Sequence, residues 1–77
     1  MPYFNYHFTA KKMIASGRLI GYFYAPSYKG ISPALVLLFD DAVRPIMPIR
    51  QHRWAEYAPL LPEEKELHPD KNFFEKN

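Results

Sequence analysis

Three arginines, a histidine and the only tryptophan crowd into residues 44–54, "RPIMPIRQHRW". Guanidinium groups form paired, charge-assisted hydrogen bonds with carboxylates and phosphates, and an imidazole can add a further donor. Arg44, Arg50, His52 and Arg53 are therefore the candidate polar contacts. Tyr22 and Tyr24 in "RLIGYFYA" and Tyr28 in "PSYKG" are the candidate aromatic contacts. Tyrosine together with arginine is the composition of binding hot spots. The chemistry this set suggests is recognition.

Catalysis finds less material. General acid–base work needs titratable partners held together, and the available groups are His7, Asp40, Asp41 and His52. The two aspartates follow a hydrophobic run directly, where Asp is favoured for capping a turn with its own side chain. No serine stands in a G-x-S-x-G setting, no glycine-rich loop could cradle a phosphate, and no cysteine is available as a nucleophile. Metal-binding spacings such as H-x-x-x-H or C-x-x-C are absent, and His68 stands beside Pro69 in a charged segment. We therefore expect a non-enzymatic protein without metal or cofactor.

Composition narrows the setting. The absence of cysteine argues against a disulfide-built secreted scaffold. The opening "MPYFNYHFTAKK" has no signal-peptide pattern. The longest apolar run, "ALVLLF", is far short of the roughly 20 residues of a membrane span. A cytoplasmic protein that does not enter membranes is the expectation. The net charge of +2 hides a gradient: up to Pro62 seven basic residues face three acidic ones, and from Glu63 three face five. A basic body suits an anionic partner, so nucleic-acid binding through Lys, Arg and exposed Tyr is the alternative to a protein partner.

The elements that must carry these groups follow from periodicity. "YFNYHFT" (3–9) alternates aromatic and polar residues and reads as a strand. "TAKKMIASG" reads as a short helix over 10–16 with Thr9 as N-cap and Gly17 past its end, a hairpin through Ser16-Gly17 being the competing reading. "RLIGYFYA" (18–25) is a strand in which Gly21 hints at a bulge. Residues 26–33 are a loop, and "ALVLLF", apolar on both faces, is a central strand. Residues 43–49 return as its hairpin partner. Pro45 and Pro48, a P-x-x-P spacing, mark that strand as an edge. A helix over about 51–58 would bury Trp54, Tyr57, Ala58 and Leu61 on one stripe, with Pro59 ending it.

The sum is an α+β fold, a small mainly antiparallel sheet of three or four strands with two short helices. Residues 1–62 form a single domain, and 63–77 a charged, loosely held tail in which the Phe73-Phe74 pair stands out. Twelve aromatics besides Trp54 exceed what so small a core readily encloses, which predicts an exposed aromatic patch. The strand at 3–9, unprotected by proline, would be free to pair with a second chain. The expected function is a small binding or regulatory protein that contacts a protein partner, or itself as a homodimer.

Overall fold

A computed structural model describes residues 5–63. The expectations for 64–77, including His68, Phe73 and Phe74, lie outside the described residues, as do positions 3 and 4 of the expected first strand. The chain runs helix, three strands, then a short helical segment, with an antiparallel sheet in the order β1-β2-β3. This is the expected α+β architecture, built on three strands.

The first element departs from the period-two reading. Residues Tyr6–Ala15 form α1, and its N-cap is Asn5, not Thr9. The Asn5 side-chain oxygen accepts from the Phe8 N–H at 2.9 Å, and its carbonyl accepts from the Thr9 N–H. The helical spacing Tyr6, Ala10, Met13, Ile14 faces the core, and this stripe outweighs the aromatic alternation. Phe8, which alternation assigns to the same face as Tyr6, is 63% exposed. At the far end Gly17 takes φ +80°. Its N–H reaches the Ile14 carbonyl and the Arg18 N–H reaches that of Met13, a Schellman stop that requires the left-handed residue.

β1 spans Leu19–Ala25, β2 Ala34–Phe39 and β3 Ile46–Arg50. The register slips between Leu19 and Gly21, the bulge that Gly21 suggested. Lys29 and Gly30 both adopt positive φ between Tyr28 and Ile31, which exchange two backbone hydrogen bonds in a miniature hairpin. All six residues of β2 are buried, as expected of the middle strand. On one face Tyr22, Leu35, Leu37, Phe39, Met47 and Ile49 pack beneath α1 and the C-terminal helical segment. On the other, Phe23, Ala25, Ala34, Val36 and Leu38 form a second cluster, against which Tyr28 and Ile31 pack from the loop.

Asp41 has a structural role in the β2–β3 connection, and Asp40 meets Arg18 only through its backbone. Asp41 Oδ2 accepts from the N–H groups of Val43 and Arg44, and Oδ1 lies 3.3 Å from Arg18. The segment read as one helix is three short pieces: 3-10 turns at Gln51–Arg53 and Ala58–Leu60 flank α2, Trp54–Tyr57. The α-helical part stops just before the residue preceding Pro59, which sits in the opening turn of the second 3-10 piece. Of the expected stripe only Tyr57 is fully buried. Trp54 and Leu61 are half-buried and Ala58 is exposed, because the 3-10 geometry rotates successive residues differently from an α-helix.

Candidate functional site

The site lies along the outer edge of β3, and its shape follows from where the strand puts its backbone. Met47 and Ile49 pair with Leu37 and Leu35, and the Pro48 carbonyl accepts a hydrogen bond from Tyr6 Oη at 2.9 Å. Pro48 thus turns its backbone away from β2, where the missing N–H costs no ladder bond. The start of α1 lies against this edge through Tyr6. Two adjoining hollows, each about 330 Å³, share Tyr6 and Pro48 as a common wall.

The first hollow is lined by Tyr28, Lys29, Arg44 and the apolar run Val43, Pro45, Ile46 and Met47. The second is lined by His7, Ile31, Arg50, His52 and Arg53. Among the described residues no carboxylate lines either one. The floor is largely apolar and the rim cationic. Arg50, His52 and Arg53, neighbours in sequence, are thus gathered in one place, with Arg44 in the adjoining hollow. His7, Tyr6 and Lys29 complete the lining; none is among the expected partner contacts, His7 being a candidate only for acid–base work. The signal for His7 was its i, i+4 spacing to Lys11, which puts both on the flank of α1 facing α2.

The candidate tyrosines do not join this set as one surface. Tyr28 lines the first hollow, with Lys29 Nζ 5.7 Å from its ring centre. Tyr24, 44% exposed, lies on the opposite edge strand and meets Trp54 edge-on at 5.0 Å. Tyr22 is buried, and its hydroxyl donates to the Pro62 carbonyl. The helices cover the sheet face on which these two tyrosines stand, so they form part of an aromatic cluster with Trp54. The other large exposed apolar side chains, Phe8, Ile20, Val43, Ile46 and Leu60, are spread over α1, β1, the hairpin, β3 and the last 3-10 turn. The strand expected at the unprotected edge is helical from Tyr6 onward, and the edge opposite β3 is β1.

A polar network backs the second hollow. His7 Nδ1 lies 2.7 Å from the hydroxyl of Tyr57, which is 0% exposed. Lys11 and Arg53 converge on Glu56 at 2.8 and 3.0 Å, and Lys11 Nζ stands 5.5 Å from the Tyr57 ring centre. Burial pushes the Tyr57 phenol up to about 12, and the nearby Glu56 charge adds to this. Partial burial and then the Arg53 charge hold the His7 imidazole below its usual value. His7 Nδ1 and the phenol are hydrogen-bond partners, with the direction set by the imidazole tautomer. Hydrogen bonding to Lys11 lowers the Glu56 carboxyl, partly offset by desolvation.

These shifts set the sign of an acid response. Folded His7 resists a proton that the unfolded chain takes up near pH 6.5, so its contribution is complete above that pH and is lost as pH falls through the lower folded value. Glu56 acts in the same sense at lower pH, below its ordinary value of 4.5. Urea midpoints should therefore fall between pH 7.5 and 5.5, and His7→Gln should flatten that dependence. An unchanged pH slope in the variant would remove His7 from this role.

Among the described residues no three or more His, Cys, Asp or Glu side chains gather as a metal site, and no helix is long and apolar enough to cross a membrane. Compared with known proteins, the chain matches no family model, no curated protein and no solved structure.

Proposed function

We propose that the protein is a small non-enzymatic binding module whose β3-edge groove takes an extended, acidic segment of a partner protein. The observation that supports this most is the lining: Lys29, Arg44, Arg50 and Arg53, with His7 and His52, border two adjoining hollows in which, among the described residues, no carboxylate takes part, Glu56 lying behind Arg53. Their apolar floor, from Ile31 to Pro48, favours a segment that carries hydrophobic side chains between its acids. From Arg44 to Arg50 an extended chain covers roughly 20 Å at about 3.3 Å per residue. That length admits about three side chains on one side of a bound peptide.

Other classes fit the groove less well. Base stacking needs open aromatic faces, whereas Tyr6 is tied to Pro48 and Tyr28 carries Lys29 beside its ring. A symmetric dimer through this groove would set the same cations against one another, which costs affinity. The His7–Tyr57 pair is a poor acid–base device for a bound substrate, because the phenol is sealed in the core.

Fluorescence polarisation tests the reading with a labelled peptide of alternating Glu and Leu, its Lys counterpart and a single-stranded oligonucleotide of equal length. The acidic peptide should bind, and more weakly as salt screens exposed charges. Tighter binding of the oligonucleotide would replace the protein partner by nucleic acid. No binding of the acidic peptide at low salt would end the proposal.

A further inference from the structure

The second hollow differs from the first in how its charge is concentrated, and the difference bears on which anionic group it accepts. Arg50 enters from the end of β3, His52 and Arg53 from the following 3-10 turn, and His7 from α1. Arg50 and His52 make no side-chain hydrogen bond or ion pair with other described residues. Arg53, which lines the hollow, gives both of its bonds to Glu56 from one terminal nitrogen, Nη1, and its other guanidinium nitrogens make no hydrogen bond to described residues. Glu56 is shared with Lys11, so those three side chains carry one net positive charge among them. With Arg50 the neighbourhood holds two positive charges, the imidazoles left aside.

We infer that this hollow is a site for a phosphate monoester, presented as a phosphorylated side chain of the partner segment. The inference rests on the reading of the groove as an acidic-peptide site. A carboxylate, with one charge and two oxygens, would leave half of the local charge uncompensated. A phosphate monoester carries about −1.5 to −2 at pH 7 and three acceptor oxygens. Two guanidinium forks match those oxygens in paired geometry. The imidazoles of His7 and His52 add donors at the rim. Arginine clusters are a recurring means of reading phosphorylated motifs.

The experiment uses the full chain and one eight-residue acidic peptide made with Ser, Glu or phosphoserine at its centre. Affinities are measured by calorimetry, and the His7 and His52 ring signals are followed by NMR. The phosphoserine peptide should bind about tenfold or more tightly than the Glu peptide, with the His7 and His52 ring signals both moving on binding. Arg50→Gln, a change at an exposed side chain, should bring that ratio close to one. Equal affinity for the Glu and phosphoserine peptides would overturn the phosphate inference and leave the acidic groove standing. If neither peptide binds, both fall. Tighter binding of a 5′-phosphorylated oligonucleotide, of phosphoinositide-bearing vesicles or of phenyl phosphate alone would overturn the assignment to a phosphorylated protein segment.

Discussion

Tyr57→Ala should cost about 3–5 kcal/mol, the usual range for removing a large aromatic side chain from a core. Tyr57 is the largest of the fully buried side chains, and it stands where α1, the sheet and the C-terminal helical segment meet. The loss has two parts. The ring leaves a void between elements that pack across the sheet, and the hydroxyl leaves His7 Nδ1 without its partner. Total stability is about 5–15 kcal/mol for an ordinary domain, and a 77-residue chain sits toward the thin end. A cost of this size should lower Tm by more than about 12 °C, at about 4–8 °C per kcal/mol in a domain of this length. Tyr57→Phe separates the two parts. It keeps the ring and should cost only about 0.5–1.5 kcal/mol, the net worth of one hydrogen bond. It should also remove the phenol that ionises at about 12 from the alkaline absorbance titration. A loss below about 1 kcal/mol in Tyr57→Ala would mean that the helical segment is not anchored through this residue.

How the sequence carried these elements varies along the chain. "ALVLLF" declares itself as the central strand because a strand buried on both faces must be apolar at every position. The aspartate turn and the stop at Gly17 are equally legible, since each depends on a local backbone demand that few residue types meet. The N-terminus misleads for a physical reason. Aromatics at 4, 6 and 8 satisfy period two, while Tyr6, Ala10, Met13 and Ile14 satisfy 3.6, and only the core decides between them.

β1 shows a second ambiguity. Alternation puts Ile20 with Tyr22 and Leu19 opposite, but the bulge adds a residue and reverses this. Leu19 joins Tyr22 in the core, and Ile20 is 54% exposed. Alternation also tells which residues share a face without telling which face the helices cover. Hence Tyr22 and Tyr24 read as one open aromatic surface, whereas the structure buries Tyr22 and leaves Tyr24 44% exposed against Trp54. The cationic site divides along the same line. Arg50, His52 and Arg53 are adjacent in the chain, so their gathering needs only a strand end and a tight turn. Tyr6 meets Pro48 across 42 residues and His7 meets Tyr57 across 50, separations that no local pattern encodes.

The double change Arg50→Ala with Arg53→Ala should weaken binding of the acidic peptide by about 100-fold. Hydrogen bonds to charged groups are worth about 1.5–3 kcal/mol each, so losing one such contact from each arginine accounts for that factor at the low end. Folding should be nearly unaffected. Arg50 is exposed, and the Arg53–Glu56 pair is a surface ion pair of the kind worth under about 1 kcal/mol, while Lys11 still holds Glu56. The dependence of affinity on salt should become shallower, because fewer charges remain to be screened. Tyr24→Ala, on the far edge of the sheet, is the control. If affinity there follows the groove reading, it should stay within about twofold, since a surface change remote from a contact typically costs within about 0.5 kcal/mol. The reverse pattern, a silent double-arginine variant and a disabled Tyr24→Ala, would move the contact surface from the β3 groove to the aromatic cluster of Tyr24 and Trp54. Loss in both variants would mean that Tyr24, through Trp54, helps hold the turn that carries Arg53 in place.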